Sequence, residues 1–249
     1  MVNQIQELIN ESKIKYSFIY KNLVSGEIFS FRPDQLVSSA STIKLFIMAK
    51  AFQQVKEGKL DLNRTFIITE EDRIENTLEC GARFNLKELI TLMITKSDNI
   101  ATNLLIDAVG IQSINLFIKE LGIPNTILQR KMLDFEARKA GKDNFTTASD
   151  LVSFLELLYL GKVINEKYSK IMLDIMKQNR PWWNHSLPED ITVAHKDGNL
   201  EGIKHDSGIG FTSKGEYIFT VLTWDCKDEK YQKEVFTGVL KYLYDWFMN

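Results

Sequence analysis

Residues 84–110 read FNLKELITLMITKSDNIATNLLIDAVG. Apolar side chains recur at helical spacing on both sides of Ser97-Asp98-Asn99. The spacing predicts two helices, 86–95 and 100–109, with a polar tripeptide between them. Gly110 closes the second. Ser, Asp and Asn are all favoured helix caps, so the tripeptide has a structural explanation of its own. It also has a chemical one. A serine hydroxyl can pass a proton to a departing nitrogen, and an amide can hold a substrate carbonyl.

Upstream lies a third helix, predicted over 42–57. Ile43, Leu45, Phe46, Ile47, Met48, Ala49, Ala51, Phe52 and Val55 make it apolar nearly all round, the mark of a helix buried on most faces. Gly58 suits its end. At its start stands Ser41-Thr42-Ile43-Lys44. Residues i and i+3 share a helix face, and burial disfavours an ammonium group and lowers its pKa. A buried Lys44 could therefore take the proton of Ser41. Amides at the helix start could stabilise an oxyanion there. Alone, the tetrapeptide fits an N-cap serine better. With 15 serines and 24 lysines in 249 residues, chance supplies S-x-x-K once or twice, and Ser12 to Lys15 is a second instance. That pair leads into a strand and not a buried helix.

Further helices are expected at 111–121, 149–160, 166–178 and 229–247, punctuated by Gly110, Gly122 and Gly161. Val2, Ile5, Leu8 and Ile9 suggest an amphipathic helix at the start of the chain. Strands are expected at both ends. KYSFIYKNL and EIFSF form a hairpin across Ser25-Gly26. ITVAHK, residues 203–212 and EYIFTVLTW follow after 191, the last two joined by a turn at Ser213-Lys214-Gly215. Hairpin-linked strands argue for an antiparallel sheet, which the two chain ends build together.

The fold class is α+β, with an antiparallel five-stranded sheet flanked by helices and an all-helical subdomain. The α/β part is expected at about 1–35 and 186–249 and the helical part at about 36–185. His195-Lys196-Asp197-Gly198 falls at the end of the first returning strand. A lysine there can offer charge to a substrate anion, and Gly198 lets a substrate backbone approach the strand. A solvated strand end reads the same way.

Composition excludes several functions. The formal net charge is -2 with both signs interspersed, so no basic run is available for nucleic acid. Cys80 and Cys226 have no zinc-type spacing, and nothing demands a disulfide between them. His185, His195 and His205 do not pair at ligand spacing, so neither a metal nor another cofactor is expected. Trp182-Trp183 is given no role. No stretch reaches transmembrane length. The N-terminus MVNQIQELINESKIK lacks a signal-peptide pattern. As written the chain reads as cytoplasmic, or as exported if a targeting segment has been removed. A monomer is expected.

Three motifs in this order change the odds for each. S-x-x-K on a buried helix, S-D-N between helices and K-x-G on a strand resemble the class A β-lactamases and related penicillin-binding proteins, whose signature is S-x-x-K, S-D-N and K-T-G. The resemblance runs from about Phe18 to the end. It is closest in residues 84–110, including Asn103, and in TVAHKDGNLEGIKHDSGI. It implies Ser41 as nucleophile, Lys44 as proton acceptor, Ser97 as proton relay, Asn99 as substrate anchor and Lys196 as carboxylate attractor. The backbone amides of Ser41 and Asn199 would form the oxyanion hole, beside Asp197 and Gly198. The implied substrate is a β-lactam or a D-amino-acid peptide or ester. A non-turnover β-lactam-binding sensor is the competing class.

Two departures qualify it. Class A enzymes open an omega loop with Arg-x-Glu, whose glutamate activates the deacylating water. Here Arg130 is followed by Lys131 and Met132. Asp134 and Glu136 are the nearby candidates for a deacylation base, or else solvent-facing charges. Thr146-Thr147-Ala148 resembles the end of that loop. The other departure is Asp197, where K-T-G has threonine. A carboxylate there repels a substrate carboxylate unless it pairs with Lys196 or His205.

Overall fold

The structure, a computed structural model, describes residues 4, 5, 7, 9, 13–181, 183 and 191–249. In chain order, β1 is Lys15–Asn22, β2 Ile28–Phe31 and β3 Val37–Ser38. A 3-10 turn, Ala40–Ile43, leads straight into α1, Lys44–Lys56. Next come β4, Thr65–Ile67, and β5, Arg83–Asn85. Three helices follow: α2 Leu86–Thr95, α3 Asn99–Val109 and α4 Ile111–Glu120. After α5, Phe135–Lys139, and β6, Phe145–Thr146, come α6, Ala148–Tyr159, and α7, Glu166–Met176. The chain ends with β7 Thr192–Leu200, β8 Ile203–Thr212, β9 Gly215–Trp224 and α8 Glu229–Met248.

The main sheet is antiparallel with strand order β2-β1-β9-β8-β7. The chain therefore is α+β, with a five-stranded sheet assembled from both ends. Two small ribbons, β3 with β6 and β4 with β5, were outside the sequence expectation. Each is two or three residues per strand, too short for a period-2 pattern.

The sheet is covered on both faces. One face packs through Ile19, Ala194, Ile209 and Leu222 on the helical layer, where Phe46, Phe52, Leu89 and Phe154 are fully buried. The other packs through Tyr16, Phe18 and Phe219 on Phe236, Val239 and Leu243 of α8. Each such side chain contributes roughly 1.5–3 kcal/mol by leaving water. At the N-terminus, Gln4, Ile5 and Glu7 are helical, and Ile5 and Ile9 are buried in the second core. Val2, Leu8, Ser12, Trp182 and His185 lie outside the described residues.

Local chemistry sets the helix starts that matter. Asn85 and Glu88 form a reciprocal capping box, with Asn85 Oδ1 accepting from the Glu88 amide at 2.9 Å and Glu88 Oε2 from the Asn85 amide at 2.7 Å. That fixes Leu86 as the first residue of α2. The helix expected at 42–57 begins instead as the 3-10 turn, so Ser41 and Lys44 sit on either side of a change of helix type. Gly110 adopts φ 87° between α3 and α4, which a side chain would oppose.

One expectation is corrected here. Lys196-Asp197-Gly198 is not at the end of a strand. β7 runs on through Leu200, pairing Gly198 with His205 and Asn199 with Lys204, and turns at Glu201-Gly202. The motif lies within an edge strand. Its polar residues interrupt the apolar alternation that marks a strand in sequence. Cys80 and Cys226 are free thiols. No single helix among the described residues is long and apolar enough to cross a membrane.

Candidate active site

Lys44 is completely buried at the first position of α1. Its Nζ donates to the Ser97 carbonyl at 2.6 Å, to Asn99 Oδ1 at 2.9 Å and to Ser97 Oγ at 3.1 Å. Three acceptors thus meet the three protons of an ammonium group. Burial pushes the Lys44 pKa well below the usual lysine range. The charge of Lys196 adds to that, against the opposing charges of Glu75, Asp98 and Asp197. As a neutral amine, Lys44 would keep two donors and turn a lone pair toward a hydroxyl.

The S-D-N tripeptide divides its two readings by residue. Asp98 is the cap: its side chain accepts from the Ala101 amide at 2.7 Å. Ser97 and Asn99 are left for Lys44. Ser97 has φ 54°, a left-handed backbone costing about 1 kcal/mol for a non-glycine residue. This bend turns both its carbonyl and its hydroxyl to the same ammonium.

Ser41 lies in the 3-10 turn, partly exposed, with Thr42 and Ile43 buried beneath it. Opposite stands β7. A Cβ added to Gly198 would sit 3.0 Å from Ala40 Cβ and 3.1 Å from the Ser41 amide nitrogen. A side chain here would press the strand and the turn apart by a few tenths of an ångström. Lys196, two residues away on the same face of β7, is fully buried. Its Nζ donates to Asp197 Oδ1 at 2.8 Å and to the Asp197 carbonyl at 2.9 Å. Burial alone would raise the Asp197 carboxyl. The charge and hydrogen bond of Lys196 outweigh it and hold the group at about 2. Asp197 Oδ2 also accepts from Asn199 Nδ2 at 3.0 Å, and Asn199 Oδ1 accepts from Lys204 Nζ at 2.7 Å. His205 does not pair with Asp197. Its Nε2 meets the Ser38 carbonyl at 2.9 Å, and its Nδ1 accepts from the Thr223 amide at 3.2 Å.

Residues 1–247 match the model described as the Beta-lactamase enzyme family. This chain belongs to the beta-lactamase family. A beta-lactamase of Moraxella catarrhalis, BRO-1, is 29% identical over 197 residues, which are 75% of this chain and 62% of that protein. A beta-lactamase of Bacillus licheniformis is 27% identical over 226 residues, 85% of this chain and 72% of that one. Among solved structures, PBP-A is 25% identical with a TM-score of 0.88, covering 99% of this chain and 95% of that one. The beta-lactamase of Sphaerobacter thermophilus DSM 20745, 24% identical with a TM-score of 0.86 and covering 97% and 96%, shares the fold.

Against the beta-lactamase pattern, the loop after Arg130 is built but differently furnished. Arg130 Nε donates to Asp143 Oδ1 at 2.8 Å, and Ser38 Oγ donates to Asp143 Oδ2 at 2.8 Å, closing the loop on β3. Met132 is buried, and its backbone is held on both sides by Asn103. The Met132 amide donates to Asn103 Oδ1 at 2.8 Å, and Asn103 Nδ2 donates to the Met132 carbonyl at 3.1 Å. Asp134 caps α5 through the Ala137 amide. The Glu136 side chain is 85% exposed and paired with Lys139. Both candidate bases therefore face solvent.

The structure also brings in a residue the sequence reading passed over. Glu75, on the loop between β4 and β5, accepts from the Asn99 amide at 2.9 Å and from Asn99 Nδ2 at 3.0 Å. It sits in the run Glu70-Glu71-Asp72-Arg73-Ile74-Glu75, which carries no motif and no periodicity.

Proposed function

We propose that this chain is a serine acyl-transfer enzyme that opens a β-lactam or related amide through an ester at Ser41 and releases it slowly. The observation that carries this is the Lys44 ammonium, buried without a carboxylate in its three hydrogen bonds and bound instead to Ser97 and Asn99. Such a lysine gives up its proton readily. Lys44 as the amine takes the Ser41 proton while Ser41 Oγ bonds to the substrate carbonyl carbon. Ser97, on the Lys44 nitrogen, passes a proton to the departing nitrogen as the amide bond breaks. The backbone amides of Ser41 and Asn199 receive the oxyanion. Asn99 anchors the substrate, and Lys196 draws its carboxylate.

Slow release rests on Met132. With a thioether in the loop and Asp134 and Glu136 facing solvent, no side chain of this loop is poised to activate water. The same feature suits a β-lactam-binding protein without turnover. A groove of about 1210 Å³ lined by Arg138, Asn199, Glu201, Lys204 and Asp225 lies on the Asn199 side of the site. A D-amino-acid peptide or ester is the alternative substrate class, opened by the same serine chemistry.

The test is incubation with a fluorescent penicillin and, separately, a D-Ala-D-Ala peptide. Wild type should label with the penicillin and Ser41→Ala should not. Lys44→Met should label at least about 100-fold more slowly. Labelling that survives Ser41→Ala removes Ser41 from the role. Cleavage of the peptide with no penicillin adduct favours the peptidase reading.

A further inference from the structure

We propose that Glu75 is a positioning residue of this site, holding the Asn99 amide with its oxygen on Lys44 and its nitrogen presented to the substrate. This rests on the acyl-transfer reading above.

The geometry leaves Asn99 one orientation. Its Oδ1 faces Lys44 Nζ, which donates to it at 2.9 Å and keeps a donor for it even as the neutral amine. Its Nδ2 must face Glu75 Oε2, a pure acceptor, at 3.0 Å. Flipping the amide would set donor on donor and acceptor on acceptor. The second carboxylate oxygen accepts from the Asn99 backbone amide at 2.9 Å, so Glu75 grips both the side chain and the start of α3. An amide NH₂ has two protons. One is held by Glu75, and the other is available to a substrate carbonyl. Asp98 caps the same helix, but its side chain accepts from the Ala101 amide and not from Asn99. The orientation of Asn99 therefore depends on Glu75.

Glu75 also acts on Lys44 at a distance. Lys44 is faced by Lys196 and Asp197 from β7, Asp98 from the start of α3 and Glu75 from the β4–β5 loop. Lys196 disfavours its ammonium form, and the three carboxylates favour it. Removing the Glu75 charge therefore makes Lys44 easier to deprotonate. Loss of Glu75 should weaken substrate anchoring and move the acid limb of acylation to lower pH. These effects differ in kind, and a purely structural role predicts only a uniform loss.

The experiment measures penicillin acylation against pH and concentration for wild type, Glu75→Gln and Glu75→Asp. Glu75→Gln keeps one acceptor and sets an NH₂ against the other donor. Its half-saturating penicillin concentration should rise about 10-fold, with an acid limb at lower pH than wild type. Glu75→Asp keeps the charge, so its limb should stay at the wild-type pH while saturation recovers in part. Matching thermal unfolding of the three proteins shows that the loop is intact. A Glu75→Gln profile that overlies wild type overturns the proposal. So does an equal loss at every pH that Glu75→Asp does not relieve. Failure of wild type itself to label would instead sink the acyl-transfer reading.

Discussion

At the scale of single residues, two side chains separate this site from the pattern it resembles. Asp197 stands where threonine is usual, and it binds the Lys196 ammonium through both side chain and backbone. A substrate carboxylate must compete with that contact. Asp197→Thr should free Lys196 and raise the rate of penicillin acylation about 10-fold, read by the growth of the adduct at low penicillin concentration. An unchanged rate would show that substrate does not use Lys196. Met132 is the other. Met132→Glu places a carboxylate where the loop is already braced by Asn103. Release of the adduct should quicken at least about 10-fold. Stability should fall by about 1–3 kcal/mol, because the position is buried. Stopped-flow turnover and urea unfolding of the one variant check both halves.

At the scale of elements, the site is where an edge strand meets the start of a helix. The Gly198 backbone lies against the Ser41 amide, where a methyl group fits only if the strand and the turn give by a few tenths of an ångström. Gly198→Ala should push β7 off the 3-10 turn. We expect acylation to slow about 100-fold with a stability loss near 1–3 kcal/mol, measured by labelling and thermal unfolding together. Wild-type acylation would mean that this spacing is not required. How much of this was legible in sequence follows from the same geometry. The long helices were readable because each buries a face with a clean period, and α2 was placed at 86–95 with its final bounds. The second half of β7 was not, because Lys196, Asp197 and Asn199 are polar and bond to one another and to Lys204, which breaks the apolar alternation. The short α5 has five residues and no buried side chain, so it leaves no pattern. Ser41, Lys44, Ser97 and Asn99 stand out because local motifs mark them, and the structure brings the last three together. Glu75 reaches Asn99 across 24 positions through a loop, a contact no local pattern announces.

At the scale of the whole molecule, the sheet and helical layer are joined through buried polar groups as well as apolar ones. His205 is the clearest. It is fully buried on β8, bonded to Ser38 and Thr223, and burial lowers its pKa to about 4. A histidine kept neutral in the fold but free to charge at about 6.5 when unfolded favours the unfolded chain as the pH drops. Its stability contribution is complete above pH 6.5 and is lost as the pH falls toward 4, on the order of 3 kcal/mol. Urea unfolding at pH 7 and pH 4 should show this loss in wild type. His205→Gln should be less stable at pH 7 but flatter between the two.

The claim on which the rest depends is an ester at Ser41 that forms and then persists. Intact-mass measurement of the protein mixed with penicillin G, followed by peptide mapping, tests it directly. We predict a stoichiometric adduct equal to one penicillin, mapped to Ser41, still present long after the free drug is removed, and absent from Ser41→Ala. Rapid hydrolysis with no accumulated adduct, or an adduct mapped to another residue, would contradict it.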